Sequence, residues 1–479
     1  MKTLQYLKII FLILAIVAGS FILPIGTAIY KKELHLVPAF LYPMIITLVL
    51  ALLFFFLYRG KIVLSTRGGI ILVACAWSAT GFLGALPLYL SAAIPSFSDA
   101  FFESVSGFTT TGSTILQDID SIPITIHLWR CQMHWLGGMG IVALTVALFP
   151  LLGVGGFRLI KSETTGPNKG KVTAKITETA KILWFIYLGL TVLQLILLML
   201  SGMGFFDALC HSFATLGTGG FSTRGDSIAA FNSLSIDLIC SIFMVLAGIN
   251  FSLYFMLFTG HIKDILKNSE FKAYIKIILV STIIIAIAIM PQYGLFNALR
   301  HSFFQVSSIL TTTGFASQNY DVWHPLAKLV LLTLMFIGGC SGSTAGGIKV
   351  IRWLILKKQA RNEMSRLLFP HGIFTIQLDG RPGRKDVVYS IAGFIFCYFI
   401  LCLITAFAAV IDGADLTSSI SAALALVGNV GPGFGSVGPV GNFAFFSPLC
   451  KWIFSFAMLA GRLELYTMII YFLPMFWKK

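Results

Sequence analysis

Long apolar runs separated by short polar segments are the main pattern of the sequence. An α-helix needs about 20 predominantly apolar residues to cross the hydrocarbon core of a bilayer, and ten runs reach that length. The first run is too long for a secretory signal peptide and another span follows it, so we interpret it as a helix of the protein. We predict membrane-spanning helices at 5–29, 36–57, 68–92, 126–152, 178–201, 234–260, 270–290, 324–356, 385–411 and 446–472.

Four shorter apolar segments lie between some of these spans, and each leads into residues rich in glycine, mostly with threonine. Because their apolar parts are too short to cross a bilayer, we interpret them as re-entrant half-helices followed by extended backbone. They occupy 99–116, 206–225, 297–319 and 415–439.

The four segments resemble one another, which indicates an internal repeat. They read SDAFFESVSGFTTTGST from Ser98, FDALCHSFATLGTGGFST from Phe206, FNALRHSFFQVSSILTTTGFAS from Phe296 and, most divergent, ADLTSSISAALALVGNVGPGFG from Ala414. The repeated unit is a span, a half-helix, a strand of small residues and a second span. The predicted boundaries are 1–62 for an N-terminal helix pair and 63–157, 158–262, 263–366 and 367–479 for four units.

Four such units around one axis can form a path for a cation, for physical reasons. Non-helical backbone at membrane depth is tolerated where it lines a water-filled path. Strands of small residues there can present rings of carbonyl oxygens that replace the hydration shell of a monovalent cation. The negative C-terminal ends of the half-helices would favour the cation. A single TTTG would favour a glycine-rich turn or a helix-packing motif instead. Four similar segments at corresponding places favour the pore.

Composition and charge agree with a membrane protein. The chain is 57% hydrophobic and only 11% charged, whereas a soluble protein carries about 25% charged residues. Its net charge of +15 comes mostly from short polar segments that the helix order places on one side of the membrane. By the positive-inside rule this side, with both chain ends, is cytoplasmic, and no nucleic-acid site is needed to explain the charge. The basic segments are Lys2–Lys8, Arg59–Arg67, Arg158–Lys181, Lys263–Lys276, Lys349–Lys385 and Lys478–Lys479.

Residue combinations typical of enzymes are not found in the sequence. The cysteines form no CxxC pair, the histidines have no metal-ligand spacing, and there is no GxxxxGK[ST] loop. We therefore expect no catalytic activity, no structural metal and no nucleotide bound by this chain.

The four units, with TTTGS at 109–113, LGTGGFST at 216–223, TTTGF at 311–315 and GNVGPGFG at 428–435, resemble the Trk/Ktr/HKT superfamily of potassium-translocating membrane proteins. The resemblance covers essentially the whole chain and is closest to the bacterial TrkH/TrkG group, which has two extra N-terminal helices. It implies an all-α polytopic fold of ten transmembrane helices, with four pseudo-symmetric helix–pore-loop–helix units around one pore. The implied function is gated potassium uptake across the bacterial inner membrane by a homodimer embedded in lipid.

The resemblance also assigns residues to a selectivity filter. Four glycines match the positions that accompany potassium selectivity in the superfamily: Gly112, Gly220, Gly314 and Gly431. The residues before them would bind potassium through backbone carbonyls: Thr110, Thr111, Thr218, Gly219, Thr312, Thr313, Asn429 and Val430.

Two further features are candidates for gating. The predicted span 324–356 contains GGCSGSTAGGIK at 338–349, and so many small residues cannot hold a regular helix at low cost. In the superfamily this stretch is an intramembrane loop below the filter, although a flexible packing hinge is the alternative. Arg462 lies within the last predicted span, where a charge is expensive. It matches a pore-facing arginine, and the alternative is a pair with Glu464. The gating set is Gly338, Gly339, Ser341, Gly342, Ser343, Thr344, Gly346, Gly347, Lys349 and Arg462.

Several expectations concern partners and charged residues. The resemblance implies a cytosolic TrkA-like regulatory subunit that binds NAD(H) or ATP, with the basic segment 349–385 as its candidate dock. An ion-coupled secondary transporter of alternating-access type, a cation symporter, is the alternative function. We expect Asp99 and Asp207 to cap half-helices rather than bind ions. Carboxylates at the mouth of the pore would attract cations: Glu103, Asp118 and Asp120.

Overall fold

The computed structural model describes residues 2–60, 65–140, 176–372, 374–378, 381–382 and 385–478. Regular structure in these residues is almost entirely α-helical, as predicted, and the exception is one antiparallel pair of short strands, Gln377–Leu378 and Arg381–Pro382. Short 3-10 helices lie at Leu34–Leu36, Ser227–Phe231, Tyr320–Val322, Gly435–Val437 and Ile470–Phe472. The α-helices are Lys2–Ser20, Ile22–Tyr30, Val37–Leu57, Thr66–Leu90, Phe97–Phe108, Ile124–Gly138, Ile176–Leu200, Phe205–Leu216, Leu234–Ala247, Phe251–Phe258, Ile262–Lys267, Ser269–Leu310, Pro325–Ile337, Val350–Leu368, Lys385–Ile411, Leu416–Val427, Pro448–Arg462, Tyr466–Ile469 and Pro474–Trp477.

Within the described ranges, six helices are long and apolar enough to cross a membrane, and a bent pair brings the number to seven. The six are Leu4–Tyr30, Leu34–Leu57, Arg67–Leu90, Lys181–Leu200, Ser269–Leu310 and Val387–Ile411. The chain is therefore an all-α polytopic membrane protein. The predicted number of ten spans is larger because three predicted runs, 234–260, 324–356 and 446–472, are interrupted, and a fourth, 126–152, is described only to residue 140.

Three interruptions lie within apolar stretches; the first two differ from the prediction, and the third lies where the prediction separates the span 270–290 from the half-helix at 297–319. The run 234–260 is not one helix, because Leu234–Ala247 and Phe251–Phe258 meet at 92°. The last run, 446–472, is interrupted after Arg462, where Glu464 and Leu465 have positive φ angles of 63° and 31°, and the short helix Tyr466–Ile469 follows. These bends let the chain turn within an apolar run, and apolarity alone does not reveal them.

The third interruption lies in the helix Ser269–Leu310. It joins a predicted span to the following half-helix across a break at Gly294, whose φ of 72° and ψ of 165° are not helical. Only glycine adopts this backbone conformation at low cost. The half-helix therefore begins after Gly294, three residues after Pro291.

Burial places the half-helices at the centre of the protein. In Phe97–Phe108 and Phe205–Leu216, nearly every residue after the first turn is buried. The outer helices expose large apolar side chains instead, such as Phe56, Ile287 and Phe396, which are 61%, 64% and 67% exposed. A lipid bilayer is the solvent that accommodates such surfaces.

Some sequence predictions lie outside the described residues. They include the part of the predicted span 126–152 that follows residue 140 and most of the basic segment Arg158–Lys181, together with the unit boundary at 157–158. The division into a helix pair and four units stays a prediction.

Candidate functional site

Each half-helix ends in a short non-helical segment, and the four segments follow the same backbone course. We call 109–112, 217–220, 311–314 and 428–431 filter segments 1 to 4. In each, the second residue and the final glycine have positive φ angles. The second residues are Thr110 at 55°, Thr218 at 55°, Thr312 at 57° and Asn429 at 53°, and the glycines are Gly112 at 81°, Gly220 at 80°, Gly314 at 85° and Gly431 at 99°. Positive φ is uncommon for threonine, so its repetition indicates one common local structure.

Backbone hydrogen bonds hold each filter segment against its own half-helix. The N–H of the third residue donates to the carbonyl five positions earlier, as at a helix C-terminus that turns back on itself. These bonds run from Thr111 to Ser106 at 2.9 Å, Gly219 to Ala214 at 2.9 Å, Thr313 to Ser308 at 2.8 Å and Val430 to Ala425 at 2.7 Å. The amides of the filter segments are thus committed to their half-helices.

The carbonyls of the second and third residues of each filter segment are not committed in this way. Among the described residues, no hydrogen bond reaches the backbone carbonyls of the eight predicted potassium-binding positions, although those residues are buried. Buried carbonyl groups without a partner are rare in proteins. Eight of them at four equivalent places are therefore available to a ligand.

The filter segments form a closed ring in chain order. A Cβ added to each filter glycine would overlap the carbonyl oxygen of the residue that precedes the glycine in the next segment. For Gly431 and Thr111, which close the ring, this distance is 2.6 Å. The pairs are Gly112 with Gly219, Gly220 with Thr313, Gly314 with Val430 and Gly431 with Thr111. Each glycine is thus required by the close approach of its neighbour as well as by its own φ angle.

Side chains tie neighbouring segments together. The Nδ2 of Asn429 donates to the Oγ1 of Thr111 at 2.9 Å and to the carbonyl of Met458 at 3.0 Å. His134 lies between segments 1 and 2, with Nδ1 2.8 Å from the Gly107 carbonyl and Nε2 accepting from the Phe221 N–H at 3.2 Å. The sequence did not indicate His134, because its contacts are far away along the chain.

On one side of the ring lies an open cavity. Its lining includes all four filter glycines and the side chains of Arg130 and Arg224. All four filter segments therefore border one cavity on this side of the ring, where the sequence predicts the mouth of a pore.

Glu103 does not attract cations to this mouth, and that expectation is wrong. Its carboxylate is fully buried and forms an ion pair with Arg130 at 2.8 Å. It also accepts hydrogen bonds from the Thr114 hydroxyl at 2.9 Å and the Ile115 N–H at 3.0 Å. Arg130 stacks on Phe221, with its Cζ 4.1 Å from the ring centroid. The pair holds the chain just after filter segment 1.

We expect Arg130→Ala to lower the free energy of unfolding by about 3–5 kcal/mol, because it leaves the Glu103 carboxylate buried without its cation. Arg366→Ala is the matched control. Its pair with Glu363 is 37% and 52% exposed, and an exposed pair contributes at most about 1 kcal/mol. Thermal unfolding of both variants in the same detergent compares them. Equal stabilities would show that the buried pair is not a structural element of the filter.

The other acidic residues also differ from expectation. Asp99 and Asp207 are not the N-caps of their half-helices, since Ser96 and Gly204 hold those positions. Asp99 instead forms an ion pair with Lys451 at 2.8 Å. Asp207 forms one with Arg224 at 2.9 Å and accepts from the Thr223 hydroxyl.

Two acidic residues remain at the loops near the mouth. Asp118 accepts from the Ser121 N–H at 3.3 Å, and Asp120 lies 3.4 Å from the Gly225 N–H. Both bonds are exposed, and the attraction of cations by these two carboxylates stays a prediction.

The segment 338–349, which we call the intramembrane loop, separates the helices Pro325–Ile337 and Val350–Leu368. This break in the run 324–356 is as predicted. Positive φ angles at Gly338, Gly342, Gly347 and Lys349 reverse the chain repeatedly, at 76°, 76°, 74° and 82°. Lys349 is buried, and its Nζ donates to the Ala345 carbonyl. Ser343 donates to the Cys340 carbonyl at 2.6 Å.

The intramembrane loop touches the filter. The Gly346 N–H donates to the Thr312 hydroxyl in filter segment 3 at 2.6 Å. A Cβ on Gly346 would overlap the Gly428 carbonyl and lie 3.0 Å from the Asn429 Cβ in segment 4. The loop thus packs directly against two of the four segments.

The intramembrane loop is also bonded to the bend in the run 234–260. The Cys340 N–H donates to the Gly248 carbonyl at 2.9 Å, and the Phe251 N–H donates to the Gly342 carbonyl at 3.0 Å. The Thr344 hydroxyl donates to the Ala247 carbonyl at 3.1 Å. Two interrupted helices therefore satisfy each other's backbone groups inside the protein, as non-helical backbone at membrane depth must.

Arg462 ends the helix Pro448–Arg462 and reaches across to two other elements. Its guanidinium donates to the Thr344 carbonyl at 2.8 Å and to the Gly137 carbonyl at 2.8 Å. The alternative pair with Glu464 is not formed, because Glu464 binds Arg352 at 2.6 Å. Arg462 joins the intramembrane loop to the end of Ile124–Gly138.

Comparison with known proteins identifies the family. The family model described as "TrkH: Cation transport protein" matches residues 37–479. The Trk system potassium uptake protein TrkH of Salmonella typhimurium is 40% identical over 428 residues, 88% of each chain. TrkG of Escherichia coli is 34% identical over 96% of this chain and 95% of its own. The crystal structure of the potassium transporter TrkH from Vibrio parahaemolyticus superposes with a TM-score of 0.88 over the whole of both chains, at 35% identity. The chain belongs to the TrkH family of cation transport proteins, which are transporters and not enzymes.

Proposed function

We propose that this chain takes up potassium through the ring of filter segments and forms the pore of a Trk-type system. The observation that carries the proposal is the closed ring of four equivalent segments, in which the carbonyls of the second and third residues accept no hydrogen bond from any described residue. Relatives named as potassium uptake proteins support potassium as the ion.

The filter segments would bind the ion as follows. A potassium ion sheds water when it enters the ring, and carbonyl oxygens replace that water. In each segment, the second and third residues supply the oxygens, and the glycine that follows turns the chain without a side chain in the way. The ligands are Thr110, Thr111, Thr218, Gly219, Thr312, Thr313, Asn429 and Val430. Because the backbone amides are fixed on the half-helices, the carbonyl positions are set before the ion arrives.

The intramembrane loop is the proposed gate. The loop contacts the ring at Thr312 and Asn429. An ion that leaves the ring on this side would therefore meet the loop next. Arg462 bonds to that loop and contributes a positive charge there. A fixed cation near the path lowers potassium occupancy and raises the barrier to conduction.

An alternating-access transporter is not favoured. That mechanism predicts inverted repeats and ionisable groups at the midplane. The ring closes in chain order with the same backbone course in every segment. The buried acidic residues near it, such as Glu103, are paired with cations.

Assembly and location follow the same proposal. The chain would act as a homodimer in the bacterial inner membrane, with both ends in the cytoplasm. A cytosolic TrkA-like subunit that binds NAD(H) or ATP would dock on the basic segment 349–385 and control the gate. The helix Val350–Leu368 begins at the intramembrane loop, and so it connects that dock to the gate.

Expression in a bacterium that lacks its own potassium uptake tests the function. We expect growth at low potassium and uptake that prefers potassium over sodium. Recording from the purified chain in bilayers separates the two mechanisms. Unitary currents support a pore, whereas saturable flux below about thousands of ions per second would favour a carrier. Absence of potassium uptake in well-expressing cells supplied with the partner subunit would contradict the proposal.

A further inference from the structure

Glu270 is a buried carboxylate that joins two parts of the chain next to the proposed gate. It lies in the first turn of the helix Ser269–Leu310, and 6% of the residue is exposed. Its Oε1 accepts hydrogen bonds from the backbone N–H groups of Ser341 at 2.6 Å and Ile351 at 3.2 Å. Ser341 belongs to the intramembrane loop and Ile351 to the helix after it. One oxygen atom of Ser269–Leu310 therefore connects that helix to the loop and to Val350–Leu368.

The bond to Ile351 has a structural role. Ile351 lies in the first turn of Val350–Leu368, whose N-cap residue Lys349 makes no side-chain capping bond. The first N–H groups of a helix have no partner within the helix, and a carboxylate near them is favoured by the helix dipole. Glu270 supplies this cap from another helix, so its position is fixed relative to Val350–Leu368.

The bond to Ser341 has a different character, because Ser341 is part of the loop itself. When the loop leaves the path while Val350–Leu368 stays in place, the Ser341 bond must break and the Ile351 bond is kept. A bond to a carboxylate is stronger than one to a neutral acceptor. Glu270 thus favours the position of the loop seen here over any position in which Ser341 has moved away.

We propose that Glu270 is a positioning residue that holds the intramembrane loop in its closed position. The proposal rests on the proposed function, in which this loop is the gate. Without the carboxylate, the closed position loses the bond from the Ser341 N–H to a charged acceptor, whereas a position in which Ser341 has moved away does not contain that bond. Loss of Glu270 therefore destabilises the closed position selectively.

Potassium flux from proteoliposomes that contain the chain alone tests the proposal. We expect Glu270→Ala to raise basal flux about tenfold, the effect of losing one hydrogen bond to a charged group. Glu270→Gln keeps an oxygen acceptor and is expected to raise flux less. Glu33→Ala is the matched control, because the Glu33 carboxylate also caps another helix, at Ile124 and Thr125, without touching the loop. It should keep wild-type flux.

A second measurement reports the loop independently of flux. Cys340 lies in the loop and is 1% exposed, so peptide-resolved maleimide labelling of its thiol measures how often the loop opens. Labelling of Cys340 should accelerate in Glu270→Ala, while Cys210 and Cys240, both 0% exposed, stay protected. Faster labelling of all three thiols would mean general unfolding and would overturn the positioning role.

The outcomes separate this proposal from the proposed function. If Glu270→Ala leaves both flux and Cys340 labelling at wild-type values, the positioning role is wrong, even when the wild-type chain conducts potassium. A second outcome uses the double variant Glu270→Ala with Gly112→Ser. If Glu270→Ala raises Cys340 labelling and potassium flux, and the double variant has the same raised flux, the ions do not pass the filter. That result contradicts the proposed function and leaves the hold of Glu270 on the loop intact.

Discussion

Cells that depend on this chain for potassium should take up at least about tenfold less of it when Gly112 is replaced by serine, and the remaining uptake should discriminate less against sodium. The new Cβ overlaps the Gly219 carbonyl, and the φ angle of 81° is unfavourable for any side chain. Each effect costs about 1 kcal/mol or more. The neighbouring carbonyl must move, and it is one of the proposed potassium ligands.

Two variants make this measurement specific. Gly314→Ser should behave similarly, since its Cβ overlaps the Val430 carbonyl. Gly189→Ser is the control, because a Cβ on this glycine meets no atom within 4 Å. Rubidium and sodium competition against potassium uptake, at matched protein levels in the membrane, gives the ion preference. Wild-type preference in both Gly112→Ser and Gly314→Ser would make the filter assignment wrong.

Arg462→Ala should raise potassium flux through the chain alone by about tenfold or more. The guanidinium connects the Thr344 carbonyl in the intramembrane loop to the Gly137 carbonyl at the end of Ile124–Gly138. A hydrogen bond to a charged group contributes about 1.5–3 kcal/mol. The substitution also removes a positive charge next to the proposed path. Both losses act in the same direction.

Arg462→Lys separates the two causes. Lysine keeps the charge, but its single ammonium lacks the planar fork that lets arginine reach two acceptors at once. If charge alone sets the barrier, Arg462→Lys conducts like the wild type. If the connection holds the loop, it conducts like Arg462→Ala. Wild-type flux in Arg462→Ala, measured in vesicles with matched protein content, would exclude both roles.

The positions of the four repeated segments could be predicted from the sequence because their signal is local and repeated. Glycine at 112, 220, 314 and 431 follows small residues in all four segments, and the structure gives all four glycines positive φ. Half-helices were predictable for the same reason, since their apolar parts are too short to span a bilayer. Neither inference needed contacts between distant residues.

What could not be predicted depends on contacts between distant residues. The bend between Ala247 and Phe251 interrupts an apolar run. Its free backbone groups are satisfied by the intramembrane loop, where the Cys340 N–H donates to the bend and the Gly342 carbonyl accepts from it. Likewise, Glu103 appeared to be a carboxylate at the pore mouth until its partner Arg130 was located. Apolarity measures how much chain is out of water, and it carries no information about which buried groups meet.

The ring of glycine and carbonyl contacts has a consequence for evolution. In a channel assembled from identical subunits, one codon change alters every quarter of the filter at once. Here each quarter has its own codons, and the three atoms nearest to a new Cβ at Gly112 all belong to the adjacent quarter, at Gly219 and Gly220. If the ring selects the ion, as we propose, a lineage carrying such a chain can shift its ion preference by changing one quarter at a time, whereas in a homotetramer every mutation changes all four.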